Sequence, residues 1–278
     1  MLKKLTDNKF FENKVFVFSV IVLVPILILA IIGPYIAPYD PLEINPSMVL
    51  KSAAPGHPLG TDEFGRDILS RLICGIRPTF IVAIGATALS LAAGVLLGIF
   101  AGYFGGAVEQ IIMRVMDIIL CFPPILLALV VVGFWGPGIQ NLIVTIGIVY
   151  SPYFARLAFS STMQVKKQEF IEAEISLGAN FARILSKGIF PNILAPIIIQ
   201  ISLTLASAIL LESGLSFLGL GIVPPTPSLG LMIGEARNYI LLNPMYVIWP
   251  SLFLGVTILV INIMGDSLRD ILDPRLHA

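Results

Sequence analysis

The chain has few residues with which to do chemistry. Its 278 residues hold 17 Lys and Arg, 17 Asp and Glu, two His and two Cys. His57 and His277 stand far apart, and Cys74 and Cys121 form no CxxC pair or metal-ligand spacing. Neither a protein-bound metal, nor a haem, nor a disulfide framework is expected. No hydroxyl or thiol is set beside a paired acid and base, so no catalytic residue is assigned and the chain is not expected to be an enzyme by itself. The Gly-x-x-x-x-Gly-Lys-Ser/Thr run that cradles a nucleotide phosphate does not occur. The charges gather instead in small groups: Asp62, Arg66 and Asp67; Glu169, Glu172 and Glu174, followed by Arg183 and Lys187; and Asp266, Arg269 and Asp273. Asp117 and Glu212 stand apart from these, next to apolar runs. Such spacings suit ion pairing, within the chain or with a partner, and not proton transfer.

These groups must be positioned by membrane helices. Hydrophobic residues make up 57% of the sequence and charged ones 12%, against roughly 25% charge in a soluble domain. The expected class is an all-α integral membrane protein. Six runs are long enough to cross: Val15–Ala37, Thr79–Phe104, Val115–Trp135, Ile139–Phe159, Phe190–Leu211 and Val247–Met264. The first is read as a retained helix, because no small-x-small cleavage site follows it. Gly136, Pro137 and Gly138 predict a tight turn between the third and fourth. Gly94, Gly98 and Gly102 leave one helix face bare, for packing within the subunit or for a dimer seam, with the former favoured.

Basic residues set the orientation. With the N-terminus inside, 12 Lys and Arg fall on the cytoplasmic side and 5 outside. Residues 1–14 then form a cytoplasmic segment and 15–278 the membrane domain. The domain includes external segments at 38–78 and 212–246 and a cytoplasmic loop at 161–189, and both termini are cytoplasmic. Zero net charge and the lack of a basic stripe leave nothing to bind nucleic acid.

The loop is the most distinctive polar stretch. Phe170, Ile171, Ala173, Ile175 and Leu177 alternate with the three glutamates, which predicts an amphipathic helix with acids early. Gly178 ends it through a positive φ, and Asn180 starts a second short helix, 181–188. Pro191 marks the next membrane helix. A helix pair of this kind docks in a groove of a soluble partner, and its acids disfavour the negative leaflet.

Glu172, Ala173, Gly178 and Pro191 resemble the EAA loop of permease subunits of bacterial ABC importers. Glu174 replaces the usual Ala of that motif, and Gly188 and Phe190 replace Ile and Leu. "HPLGTDEFGRDILSRLICGIR" at 57–77, "LSFLGLGIVPPTPSLGLMI" at 215–233 and "GDSLRDILDPRL" at 265–276 sharpen the likeness, as do "GGAVEQIIMRVMD" and "GPGIQN". Together they look like the C-type permease of the dipeptide, oligopeptide and nickel importers, over nearly the whole chain. Pro78 departs from the residue type often found there.

The resemblance implies several things. This chain would be half of a translocation path for dipeptides or oligopeptides, with nickel or a nickel chelate as the alternative. A second, homologous permease, two cytoplasmic ATPase subunits that use ATP and Mg, an extracytoplasmic binding protein and membrane lipid would be its partners, in a bacterial or archaeal cytoplasmic membrane. Glu172, Ala173, Glu174, Gly178, Arg183 and Pro191 would couple to the ATPase.

Other residues keep open readings. Gly60, Thr61, Asp62, Gly65, Arg66 and Asp67 form an external motif that orients the next span or only stabilises its loop. If the segment is helical, Asp62 and Arg66 form an i,i+4 pair, worth about 0.2–0.5 kcal/mol when exposed. Glu212, Ser216, Phe217, Pro224 and Pro225 line an external gate or simply pack there. Glu212 faces an outer cavity or sits at headgroup level. Asp117 pairs with Arg114, and Asp266 with Arg269. A secondary transporter fits less well, because the midplane is almost wholly apolar and shows no inverted repeat.

Overall fold

The computed structural model describes residues 9–272. Its elements are helices α1 (Lys9–Glu12), α2 (Lys14–Ile36), α3 (Ile68–Phe104), α4 (Gly106–Leu120), α5 (Pro124–Trp135), α6 (Ile139–Lys166), α7 (Glu169–Ser176), α8 (Phe181–Arg183), α9 (Phe190–Phe217), α10 (Leu229–Ala236) and α11 (Pro244–Leu272). Five helices are long and apolar enough to cross a membrane, or six if α4 and α5 count together. The all-α, multi-spanning class holds.

Val115–Trp135 is not one straight span. It breaks at Cys121–Pro123, and α4 and α5 meet at 93°. The two prolines explain the break. Pro123 and Pro124 lack the N–H groups a continuing helix needs, and Pro124 instead sits at the start of α5, where no N–H is missed.

Asn13 starts α2 by accepting from the N–H groups of Val15 and Phe16 at 3.0 Å. Ser19, Leu23, Ile26, Ala30 and Gly33 are its buried residues, spaced by four and three, so one stripe packs inward and the rest stays bare. Asp67 caps α3, accepting from Ser70 N at 2.8 Å. The 37 residues of α3 measure about 55 Å, well beyond the ~30 Å hydrocarbon core. Residues 68–78 are therefore the first turns of this same helix, continuous with the apolar run that follows.

The main seam of the bundle joins α3 to α6. A Cβ on Gly94 would strike Ser151 O and Phe154, one on Gly98 would strike Ala155 O and Ala158, and one on Gly102 would strike Thr162. The glycine stripe packs within the chain. Ser90 Oγ ties the same helices by donating to Gly147 O at 3.0 Å.

Lys166 Nζ donates to Tyr103 O at 2.6 Å, which places the ends of α6 and α3 together. This end of the bundle also carries residues 167–189 and is here the loop end. Gly138 N donates to Gly221 O at the opposite end. That end carries residues 37–67 and 218–243 and is here the cap end. Beneath the cap lies a small core of Ile68, Leu72, Leu229, Met232, Ala236 and Tyr246.

Candidate functional site

At the loop end, α7 forms where the acids and apolar residues predict it. Gly178 follows it with φ +76°, and Asn180 Oδ1 accepts from Arg183 N at 2.9 Å. The second helix is not short. α8 runs through a π-helical turn at Ile184–Ile189 directly into α9, making one helix from Phe181 to Phe217. The wider turn fits Pro191, whose ring would clash with the carbonyl four residues back in a regular helix. Asn192 Nδ2 donates to Gly188 O at 2.6 Å in the same region.

Only Ile171 of α7 is buried, against the bundle. Leu177 is 87% exposed, and Phe170 and Ile175 are bare beside the exposed Glu169 and Glu172. The apolar residues therefore do not all face inward, as simple amphipathicity suggested. Glu174, Leu177, Gly178, Ala179, Asn180 and Arg183 line one hollow. Glu174 Oε2 is buried there and has no hydrogen-bond partner.

At the cap end, Asp62 and Arg66 do pair, with Nε to Oδ2 at 2.6 Å, but not on a helix. They close a turn in which Gly65 has φ +75°, and Asp62 Oδ1 accepts from Phe64 N and Arg66 N at 2.9 Å. Both side chains are buried, so the small value for an exposed helical pair does not apply. Arg71 is completely buried. Its Nη2 donates to Glu235 Oε2 at 2.9 Å, and its Nε lies 3.2 Å from Asp62 Oδ2, out of line for a hydrogen bond. Arg66 also reaches Glu63 Oε1 at 3.3 Å and Glu235 Oε2 at 3.6 Å.

Three carboxylates thus share two guanidiniums. Burial pushes the Glu235 carboxyl above the ordinary range; Arg71 and Arg66 pull it back, while Glu63 and Asp62 push it up. Asp67 holds a second set, with His57 Nδ1 at 2.9 Å and Ser70 Oγ donating at 2.7 Å. Gly60 has φ +83° against Lys51 O, and Thr61 Oγ1 donates to Met48 O. Asn243 Nδ2 donates to Lys51 O and Thr61 O at 3.3 and 3.4 Å, fastening the cap to the start of α11.

Glu212 neither faces a cavity nor sits at a headgroup surface in this chain. It is wholly buried, accepting from Ser216 Oγ at 2.6 Å, with Ser213 Oγ at 3.3 Å. Ser216 Oγ in turn accepts from Ile222 N at 3.1 Å and holds the chain where it leaves α9. Pro224 and Pro225 are exposed, and the Arg237 guanidinium lies 5.4 Å from the half-buried Phe217 ring. After residues 218–228, α10 returns onto α9 at Gly230 and Gly234, which leave room for the Ser213 and Phe217 backbones.

Asp117 pairs with Arg156 of α6 at 2.5 Å and not with Arg114. Asp266 and Arg269 are both exposed and form no ion pair among the described residues; Asp273 lies outside them. Sequence reasoning missed Glu235, Tyr246, Asn243 and the Asp117–Arg156 pair. The one available signal was Arg156 itself, a charge inside an apolar run.

Comparisons with known proteins agree with this architecture. A family profile described as "Binding-protein-dependent transport system inner membrane component" matches residues 94–278. One described as "N-terminal TM domain of oligopeptide transport permease C" matches residues 6–55. The di/tripeptide transport system permease protein DppC of Pseudomonas aeruginosa (strain UCBPP-PA14) is 39% identical over 275 residues, covering 97% of this chain and 91% of its own length. The glutathione transport system permease protein GsiD of Pectobacterium atrosepticum is 36% identical over 272 residues, covering 98% and 90%. An inward-facing structure of the MetNI methionine ABC transporter superposes with a TM-score of 0.61 at 19% identity, over 73% of this chain and 97% of that one. At that identity the likeness is one of fold.

Proposed function

Because the chain belongs to the family of binding-protein-dependent transport system inner membrane components, and within it to the C-type permeases of the peptide and nickel importers, we propose that it forms half of a translocation path for dipeptides or oligopeptides. It is a non-catalytic permease subunit of an ABC importer. The observation that carries the peptide assignment is its 39% identity, over nearly its full length, to a di/tripeptide permease.

The second half of the path is a homologous permease, and energy comes from two ATPase subunits that bind ATP and Mg. An extracytoplasmic binding protein delivers the substrate. We place the coupling surface on Glu172, Ala173, Glu174, Gly178, Arg183 and Pro191. Leu177 stands bare at the tip of α7, where an apolar side chain in water is costly unless a partner covers it.

The loop end is then cytoplasmic, as are both termini, and the cap end is external, facing the binding protein. Arg156 lies inside α6 and drops out of the orientation count, which leaves 11 basic residues against 5. The sign of the asymmetry survives. Ser216, Phe217, Pro224 and Pro225 border the external mouth, while the buried Glu212 acts by holding that mouth in shape.

The test is ATPase activity of the reconstituted importer, with this chain, its companion permease, the ATPases and the binding protein. Titration with binding protein loaded with dipeptide, with longer peptide, or with nickel separates the substrates. Stimulation by peptide is expected. Stimulation by nickel alone moves the assignment to metal uptake, and no dependence on this chain removes the ATP-coupled reading.

A further inference from the structure

The Asp117–Arg156 pair has no part in the cap, the coupling surface or the external mouth. Arg156 lies ten residues before the end of α6, about 15 Å along its axis. α6 has 28 residues, about 42 Å, so Arg156 sits within the ~30 Å hydrocarbon zone when the helix spans it. It is not shielded by its own chain: the Arg156 side chain is 56% exposed and that of Asp117 46%. Tyr153, Arg156, Ser160, Gln164 and Lys167 are all exposed and spaced by three or four, so one polar stripe runs down α6. Charges at this depth do not face lipid; they face a wet path or a protein partner.

We propose that Asp117 and Arg156 form a station in the translocation path for the charged termini of a peptide, with Arg156 receiving the α-carboxylate and Asp117 the ammonium group. This rests on the peptide-permease reading above. The chemistry matches. Arg156 makes a single hydrogen bond, Nη2 to Asp117 Oδ1, and among the described residues neither side chain makes another. A guanidinium has five N–H donors, and a carboxylate accepts on both oxygens. An exposed, one-point ion pair is weakly held and easily opened. When empty, the pair presents no net charge to the path. When occupied, each charge exchanges one partner for another, so neither terminus of the zwitterion crosses the low-dielectric zone uncompensated.

The two groups are also free to part. They stand on different helices, and the only buried residue of α4 is Met116, so α4 is lightly anchored. An extended dipeptide measures about 7 Å, a gap that two flexible side chains span on separating.

The experiment compares uptake of a free-acid dipeptide and its C-terminal amide by the reconstituted importer, with the binding protein saturated by either. With the native chain, free-acid uptake is expected to exceed amide uptake about tenfold, the worth of one charge-assisted hydrogen bond. Arg156→Gln brings the ratio to about one by lowering free-acid uptake alone, and Arg156→Lys restores most of it. Asp117→Asn does the same for free-amine against N-acetylated peptide. Arg156→Gln lowering both peptides equally overturns the station and assigns the pair to packing against the second permease. Peptide-stimulated ATPase activity with an unchanged ratio in Arg156→Gln also overturns it. Lack of any peptide stimulation with the native chain overturns the peptide reading itself, and the station with it.

Discussion

Replacing Arg71 by Met tests whether the cap is held by its buried charges. Arg71 is fully buried and lies between Asp62 at 3.2 Å and Glu235 at 2.9 Å. Methionine keeps much of the aliphatic stem but leaves Asp62, Glu63 and Glu235 facing Arg66 alone. Removing one partner of a buried pair costs about 3–5 kcal/mol, because the charge left behind loses both water and counterion. In a chain of this size each kcal/mol lowers the unfolding midpoint by about 2–4 °C. Thermal unfolding of the detergent-solubilised chain, followed by tryptophan fluorescence, gives the shift.

The pH dependence has a definite sign. Burial holds the Glu235 carboxyl above its ordinary range, with Arg71 the strongest group pulling it down. A carboxyl raised in the folded state stabilises at acid pH and loses that contribution as pH rises through its folded titration. Arg71→Met removes the downward pull, so Glu235 stays protonated to higher pH. The cost of the substitution is therefore smaller at about pH 5 than at about pH 8. Glu235→Gln in the same background recovers part of the loss, since it removes one of the stranded charges. A loss under about 1 kcal/mol, or no recovery from Glu235→Gln, refutes the view that charge pairing holds the cap.

Two further substitutions probe the remaining assignments. Leu177→Asp leaves the unfolding midpoint unchanged, because the side chain is bare in the single chain, but lowers binding-protein-stimulated ATPase activity at least about tenfold, in line with losing an apolar anchor at an interface. Gly98→Val forces α3 away from Ala155 and Ala158 of α6 and destabilises the solubilised chain by at least about 1–3 kcal/mol; a neutral result in a midpoint measurement contradicts the close approach.

The structure also shows where sequence reasoning reaches and where it stops. Composition and run length are properties of single segments, so the apolar runs, the Gly136–Gly138 turn, the Gly178 stop and the Asn180 cap were legible. Helix continuity was not. Arg77 and Lys187 look like borders because they are charged, yet α3 begins at Ile68 and α9 is continuous with Phe181. A helix can overhang the membrane without any change in its backbone. The Asp62–Arg66 pair was found by spacing alone, and spacing could not tell a helix from the turn that Gly65 permits, since both span four residues.

What spacing could not reach were partners distant in sequence. Glu235 stands 164 residues from Arg71, and Arg156 stands 39 from Asp117. Arg156 nonetheless carried a sign of its own. A guanidinium within an apolar run must find a counter-charge or water, and Asp117, beside a neighbouring apolar run, was the acid that could supply it. The difference between the two arginines lies in what encloses them. Arg71 is sealed by its own chain, while Arg156 pairs with Asp117 and keeps an open side, which is where the proposed station would take the carboxylate of the cargo.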